Sequence, residues 1–321
     1  MPATLTLEDV RAAAARLGDR VRRTPLVAAA PARGPLPGRC WLKLECLQVT
    51  GSFKARGALN RALLLDAAAA ARGLVTASGG NHGAGVAYAA RLRGCPARVF
   101  VPTSTPADKV ARLRSWGAEV VVAGAVWDDA NARALEDAAR TGATYVHPFA
   151  DPAVAAGQGT VGLELVEQLP RVDTVVVAIG GGGLAAGVGV AVHGLRPEVR
   201  VVGVEPVGAA TLHDSLRAGR PVTLERIATA AGTLAPLRSD AFNVALVERH
   251  VARVALVDDD AMRDAARWLW REHGVGAELG GAAAVAALRA GAYRPDEGEQ
   301  VAVLVCGAGA DALAPGGPPA R

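Results

Sequence analysis

Residues 174–184 read TVVVAIGGGGL, a continuous apolar run that passes directly into four glycines. A β-branched run without alternating polar residues is typical of a strand buried on both faces of a parallel sheet. The small residues that follow predict a helix that begins beside the glycines. The stretch from Thr174 to Val192 carries no charge and is long enough to span a bilayer. Because the glycines interrupt it, we interpret it as a strand, a tight turn and a helix.

Similar apolar runs alternate with helical patterns along the rest of the chain. Further strands are predicted at Leu74–Ala77, Ala97–Val101, Glu119–Val122, Val199–Val204, Val254–Val257 and Val301–Val305. Helices are predicted at, among others, Ala84–Arg93, Ala107–Trp116, Ala130–Arg140 and Ala261–His273. Near the N-terminus, Thr6 followed by Asp9 predicts a capping box at the start of a helix. This alternation predicts an α/β protein with largely parallel sheets.

The composition is that of a globular protein. Of the 321 residues, 51% are hydrophobic and 21% are charged, which is enough to bury a core, and this length predicts roughly two domains. Aromatic residues make up only 4% and the formal net charge is +4. The chain has too few aromatic residues for a base-stacking surface and too little net positive charge for an extended basic surface, which argues against a nucleic-acid partner.

The N-terminus and the cysteines predict the compartment. The first twenty residues contain acidic side chains and lack the apolar core of a signal peptide. The four cysteines, Cys40, Cys46, Cys95 and Cys306, show neither a CxxC pair nor the spacing of metal ligands. We therefore expect free thiols, no metal site, no membrane partner and a cytoplasmic location.

The glycine loop predicts an anion site made of Gly180, Gly181, Gly182, Gly183 and Leu184. Glycines let backbone N–H groups converge on an anion, and the helix N-terminus adds positive potential. Which phosphate binds stays open at this point, because Gly180, Gly182 and Ala185 also fit a dinucleotide fingerprint. In that alternative Glu205 would bind a ribose, and Gly307, Gly309 and Ala312 would form a second such loop. An NAD-dependent dehydrogenase is therefore a rival hypothesis.

Residues 43–58, KLECLQVTGSFKARGA, contain two of the three lysines in the chain. Arginine cannot form a Schiff base, so a sequence this poor in lysine can retain one where the amine is needed. We expect Thr50, Gly51 and Ser52 to form a turn and a cap, and Lys54 to lie in the first turn of the next helix. The positive end of that helix would lower the pKa of Lys54.

Residues 78–83, SGGNHG, predict a second loop that leads into a helix. Small residues expose backbone amides there, which suits a substrate carboxylate. The side-chain amide of Asn81 can donate a hydrogen bond to a phenolate oxygen.

Together these motifs resemble the fold-type II pyridoxal-phosphate enzymes, in the serine/threonine dehydratase and serine racemase branch. The resemblance rests on G-S-F-K-x-R-G, S-x-G-N-H, GGGGL and the strand-end Cys306, and runs from about Arg23 to Cys306. It implies a tryptophan synthase β-like fold with two three-layer α/β/α domains. Residues 1–72 and 148–321 would form the large domain that binds pyridoxal 5′-phosphate, and residues 73–147 a small inserted domain. It also implies a homo-oligomer.

The resemblance further implies roles for individual residues. Lys54 would carry the cofactor on its amine and remove the Cα proton of the substrate, an amino acid. Residues that would contact the cofactor are Phe53, Lys54, Asn81, Gly180, Gly181, Gly182, Gly183, Leu184, Glu278 and Cys306. Residues that would bind the substrate carboxylate are Ser78, Gly79, Gly80, Asn81 and His82. Among these, Cys306 would face the pyridine nitrogen.

A neutral thiol at Cys306 would leave the cofactor a weaker electron sink, which fits β-elimination. We therefore expect dehydration and deamination of L-threonine or L-serine to 2-oxobutanoate or pyruvate plus ammonia. Gly79 stands where serine racemases carry a serine, and Thr211 stands where a second metal carboxylate would accompany Glu205, so racemisation and a magnesium site are both disfavoured. The family's T-x-A-D-G segment reads Ala228-Thr229-Ala230-Ala231-Gly232 here, so its aspartate is replaced by Ala231.

Several alternatives remain open from the sequence. Within the class they are a dehydratase of another 3-hydroxy amino acid such as hydroxyaspartate, a serine racemase and a β-replacement synthase. Outside the reaction class they are the NAD-dependent dehydrogenase and a non-catalytic protein that binds pyridoxal phosphate.

Overall fold

A computed structural model describes residues 4–310, and this part of the chain contains two sheets. Their strands, numbered in chain order, are β1 (Leu26–Ala28), β2 (Arg39–Lys43), β3 (Leu74–Ala77), β4 (Ala97–Val101), β5 (Glu119–Val122), β6 (Thr144–Tyr145), β7 (Thr174–Ala178), β8 (Arg200–Pro206), β9 (Arg253–Val257) and β10 (Gln300–Leu304). The larger sheet has the order β1-β2-β10-β7-β8-β9 and the smaller has the order β5-β4-β3-β6. All pairings are parallel except that of β1 with β2.

Helices cover the sheets. They are α1 (Leu7–Leu17), α2 (Lys54–Leu63), α3 (Ala67–Arg72), α4 (Asn81–Arg93), α5 (Ala107–Ser115), α6 (Trp127–Thr141), α7 (Pro152–Gln168), α8 (Gly183–Leu195), α9 (Thr211–Ala218), α10 (Ala241–His250), α11 (Asp259–His273) and α12 (Leu279–Arg289). Successive residues of β3 contribute to different cores: Leu74 packs with residues of α4, whereas Val75 packs with residues of α6. The smaller sheet is therefore sandwiched between helices, because successive side chains of a strand point to opposite faces.

The predicted α/β class with parallel sheets is confirmed, and most predicted strands lie within one or two residues of their observed bounds. The capping box is present, with Thr6 and Asp9 bonded to each other's backbone N–H. The uncharged stretch at 174–192 is β7, the glycine turn and most of α8. Among residues 4–310, no helix is both long and apolar enough to cross a membrane.

Two predicted helix starts are three residues late. The helix expected at Ala130–Arg140 begins at Trp127. The helix expected at Ala84–Arg93 begins at Asn81, so Asn81, His82 and Gly83 form its first turn instead of a loop. The sequence did not indicate that the helix begins at Asn81, because its N-cap is Gly80, which has no side chain to form a capping hydrogen bond.

The domain division stays a prediction. All four strands of the smaller sheet lie between Leu74 and Tyr145. The core against one face of that sheet also takes Leu17 from α1 and Leu59 from α2. The helix that begins with Lys54 therefore packs against the smaller sheet's core although its sequence precedes the predicted insertion.

A buried network of charges joins α2, α7 and β2. Arg56 donates to both carboxylate oxygens of Glu45, at 2.9 and 2.8 Å, and to Glu164 at 2.6 Å. Lys43 donates to the other oxygen of Glu164, also at 2.6 Å. Lys43, Glu45 and Arg56 are at most 1% exposed. The two cations and two anions balance, as a buried charge requires.

We expect Arg56→Met to lower the free energy of unfolding by about 3–5 kcal/mol, because Glu45 and Glu164 would remain buried without their shared cation. The measurement is urea unfolding followed by circular dichroism. The matched control is Arg23→Met, since Arg23 pairs with Glu167 at 2.8 Å on the surface, where such a pair contributes under about 1 kcal/mol. Equal losses in the two variants would contradict the assignment.

Candidate active site

The motifs from the sequence converge at one edge of the larger sheet. Strands β2, β10 and β7 are adjacent and parallel, so their carboxyl ends meet there. The segments that leave these ends carry Lys54, Cys306 and Gly180–Gly183, respectively. Ser78 and Asn81 approach from the carboxyl end of β3 in the smaller sheet. The structure therefore brings together motifs that are more than 200 residues apart in the chain.

Lys54 is the first residue of α2. Its Nζ donates to the backbone carbonyl of Pro148 at 2.6 Å and lies 5.1 Å from the centroid of the Phe53 ring. Burial lowers the pKa of Lys54 to about 8, while Cys306 and Glu278 act in the opposite direction. The predicted direction of the shift is confirmed, but its main cause is removal from water.

The cap predicted before Lys54 is wrong. Residues Val49–Gly51 do form a turn, in which Thr50 has a positive φ of 62°. Phe53, not Ser52, precedes α2, and it makes no side-chain cap. The hydroxyl of Ser52 is buried without a partner among the described residues. What holds this N-terminus is the chain after β10: Phe53 N–H donates to the carbonyl of Cys306 at 3.4 Å.

Cys306 is buried where β10 ends. Its Sγ donates to the carbonyl of Gly280 at 3.5 Å. Burial raises the pKa of the Cys306 thiol, and Glu278 acts in the same direction. The thiol is therefore neutral at physiological pH.

Asn81 and Glu278 form a polar pair between the two sheets. The Nδ2 of Asn81 donates to Oε1 of Glu278 at 2.8 Å, and the backbone N–H of Glu278 donates to the carbonyl of Gly307 at 3.2 Å. A Cβ at Gly307 would lie 2.5 Å from Oε1 of Glu278. The pair orients the Asn81 amide, and a side chain at position 307 would displace the Glu278 carboxylate from it.

The loop before α4 is anchored by its neighbours. The hydroxyl of Ser78 accepts from Gly80 N–H at 3.3 Å. Nε2 of His82 lies 2.9 Å from the carbonyl of Val146, which can only accept, so Nε2 carries the proton. Burial, with help from Lys54, lowers the pKa of His82 to about 3. His82 is therefore neutral, and its hydrogen bond to Val146 anchors the first turn of α4.

The glycine loop presents unpaired donors at the start of α8. Gly182 has a φ of +92° and is the N-cap of this helix. Within the described chain no hydrogen-bond acceptor is found for the N–H groups of Gly181, Gly182 and Gly183. Helix N-termini with unsatisfied N–H groups bind phosphate readily. The residues present therefore fit a phosphate group.

Sequence reasoning missed the segment from His147 to Phe149. Pro148 supplies the carbonyl that accepts from Lys54. The ring of Phe149 fills the space that a side chain at Gly181 would need. Nδ1 of His147 accepts from the N–H of Phe149 and of Ala150, at 3.2 and 2.8 Å. No local motif marks this segment, because its role depends on where α7 begins relative to α2 and α8.

The dinucleotide alternative does not match the structure. Both oxygens of Glu205 accept from N–H groups at the start of α9, those of Leu212 and His213, each at 2.8 Å. Burial raises the pKa of Glu205 to about 8. Up to residue 310 no helix follows β10, and Ala312 lies outside the described residues. Among the described residues no three His, Cys, Asp or Glu side chains are placed to bind a metal.

Comparison with known proteins decides between the two cofactors. A family model described as "Pyridoxal-phosphate dependent enzyme" matches residues 17–307. The chain belongs to this family. It is a fold-type II enzyme that uses pyridoxal phosphate, and the predicted family and cofactor are confirmed.

Three relatives illustrate the similarity. The chain is 40% identical over 308 residues to L-threonine ammonia-lyase of Thermotoga maritima, covering 96% of this chain and 76% of the relative. It is 40% identical over 317 residues to phenylserine dehydratase of Ralstonia pickettii, covering 96% and 95%. The structure of maize serine racemase superposes with a TM-score of 0.89 at 33% identity, covering 95% of this chain and 94% of that one.

We expect the rate at which the cofactor-free protein captures added pyridoxal phosphate to follow the ionisation of Lys54. Only the neutral amine attacks an aldehyde, so the rate should rise about tenfold per pH unit in acid and level off above about pH 8, the pKa of Lys54. Stopped-flow absorbance across pH measures it. A rate that keeps rising up to the pKa of free lysine would contradict the shift.

Proposed function

We propose that this enzyme is an L-threonine/L-serine ammonia-lyase. It removes water from L-threonine or L-serine, and the resulting enamine tautomerises and hydrolyses to 2-oxobutanoate or pyruvate plus ammonia. The observation that carries the proposal is a pair of buried groups whose pKa values are both shifted toward the uncharged form: the amine of Lys54, with a pKa of about 8, and the thiol of Cys306, whose pKa is raised. The name of the Thermotoga relative supports the same reaction.

The residues divide the work between binding and proton transfer. Pyridoxal phosphate, when bound, supplies an electron sink for the bond broken at Cα. Lys54 would take the Cα proton, and the ammonium so formed can return that proton to the β-hydroxyl, which then leaves as water. We assign the cofactor phosphate to Gly180–Gly183, the cofactor hydroxyl to Asn81 held by Glu278 at 2.8 Å, and the substrate carboxylate to the amides of residues 78–82.

Cys306 supports elimination over transamination. A carboxylate in its position would hold the pyridine nitrogen protonated and stabilise negative charge at Cα for longer. The thiol of Cys306 is neutral because burial raises its pKa. A weaker sink favours immediate loss of the β-hydroxyl.

Gly79 argues against serine racemisation as the main activity. Racemisation needs a proton donor on the second face of Cα, and glycine has none. A Cβ at Gly79 would lie 2.8 Å from Cγ2 of Thr105, so the space for a serine is already occupied. The racemase alternative therefore lacks both the group and the room for it at this position.

We expect Gly79→Ser to lower the rate of threonine deamination about tenfold, because overpacking displaces the carboxylate loop. Adding Thr105→Ser, which deletes the crowding Cγ2, should recover most of the rate. Thr105→Ser alone is the control and should change little. The assay is ketoacid release under saturating cofactor, with D-serine formation followed alongside; a gain of racemisation in Gly79→Ser would contradict this reading of the loop.

The proposed location is the cytoplasm and the proposed assembly a homo-oligomer. The thiols of Cys40, Cys46 and Cys306 are buried and free, as is usual in a reducing compartment. The assembly rests on the family resemblance.

The deciding experiment is a spectrum of the purified protein before and after L-threonine, with 2-oxobutanoate and ammonia assayed together. We expect a visible band that shifts and stoichiometric product, and a rate at least about 10²–10⁴-fold lower in Lys54→Ala. L-serine, phenylserine and hydroxyaspartate, run in parallel, rank the substrates. A band with no product from L-threonine or L-serine would point to another hydroxy amino acid or to a non-catalytic role and would overturn the proposal.

A further inference from the structure

The carbonyl of Gly181 accepts two side-chain hydrogen bonds. Ser239 Oγ donates to it at 2.9 Å, and Asn243 Nδ2 donates to it at 2.9 Å. Ser239 is 4% exposed and Asn243 is fully buried. Two buried donors on one loop carbonyl are more than the loop needs for solvation alone, since a carbonyl is satisfied by one.

These two bonds fix the direction of the next N–H group. In a trans peptide the C=O and the following N–H point in opposite directions, and the described chain contains no cis peptide. With the carbonyl of Gly181 held toward α10, the N–H of Gly182 must project to the opposite side. Gly182 is also in the left-handed region, with φ of +92°, which turns successive N–H groups toward a common point.

Asn243 also ties the loop to the segment that contacts Lys54. Its Nδ2 donates to the carbonyl of Phe149 at 3.1 Å, and the preceding residue, Pro148, accepts from Lys54. The orientation of the amide is settled by these partners, because a flipped Asn243 would place Oδ1 against two carbonyl oxygens. The single amide nitrogen therefore connects the glycine loop to the lysine's neighbour.

The amide oxygen of Asn243, unlike its nitrogen, makes no hydrogen bond among the described residues. This oxygen, Oδ1, is buried. Leaving a buried acceptor unsatisfied is costly, so a residue chosen only for packing would be apolar here. The function of Asn243 lies in its donor.

We propose that Asn243, assisted by Ser239, is a positioning residue that aims the Gly182 N–H at the cofactor phosphate. This rests on the proposed assignment of the phosphate to Gly180–Gly183. It adds two side chains from the α10 region to the phosphate site, neither of which touches the phosphate itself. Their contribution should depend on the phosphate group and be absent for a ligand that lacks it.

The test compares two ligands on the full-length chain freed of cofactor: pyridoxal phosphate, and pyridoxal, which has the same ring and aldehyde without the phosphate. Their dissociation constants are measured by equilibrium dialysis for the wild type and for Asn243→Ala. We expect Asn243→Ala to weaken pyridoxal phosphate about tenfold, which corresponds to losing two net hydrogen bonds, and to leave pyridoxal within about twofold.

The matched control is Asn60→Ala. Asn60 is fully buried, its Nδ2 donates to the carbonyl of Ala153 at 2.7 Å and its Oδ1 accepts from Nε of Arg16 at 3.0 Å, so neither bond involves the glycine loop. It should cost comparable thermal stability without changing the ratio of the two dissociation constants. Equal weakening of both ligands in Asn243→Ala would mean a general structural role and would overturn the proposal.

Ser239→Ala keeps the test decisive should Asn243→Ala fail to fold. It removes one of the two donors to the same carbonyl, so the ratio should change in the same direction by a smaller factor, and an unchanged ratio overturns the proposal. The wild type separates this inference from its premise. If wild-type protein itself does not prefer pyridoxal phosphate over pyridoxal, the assignment of the phosphate to Gly180–Gly183 fails; if it does, and both variants keep the full preference, only the role of Asn243 and Ser239 fails.

Discussion

The balanced charge network around Arg56 is the constraint on which the rest of the site depends. Arg56 lies two residues after Lys54 on α2 and is held by Glu45 and Glu164 at distances of 2.6 to 2.9 Å. A buried ion that loses its charged partner is strongly destabilised, so this network constrains how α2 packs against α7. It fixes the rotation of α2 relative to α7, and with it the direction in which Lys54 leaves the helix.

Removal from water then determines the chemistry of the groups that gather at the sheet edge. The same physical cause lowers the pKa of Lys54 and of His82 and raises that of Cys306. All three shifts favour the uncharged form, because a charge in a poorly solvated site has the higher free energy. The uncharged amine of Lys54 can act as a base. The uncharged thiol of Cys306 would not hold the pyridine nitrogen of the cofactor in its protonated form.

Much of the fold and part of the site could be predicted from the sequence. The β-branched runs gave strands β4 and β5 with their observed bounds, and the lysine and glycine motifs marked residues that the structure brings to one edge. The cap at Ser52 and the start of α4 were wrong, because both helices begin without a side-chain cap. Phe149 and Asn243 carried no local signal, since their contacts join segments that are about 30 to 90 residues apart.

Local sequence and tertiary structure thus determined different properties of this protein. The sequence by itself determined which elements form and which residue types can do the chemistry, because strand patterning, glycine turns and a reactive amine are properties of short segments. Only the tertiary structure decided the protonation of Lys54 and Cys306, the orientation of the Asn81 amide and the direction of the Gly182 N–H. These depend on burial and on hydrogen bonds between distant segments, which exist only after the chain has packed.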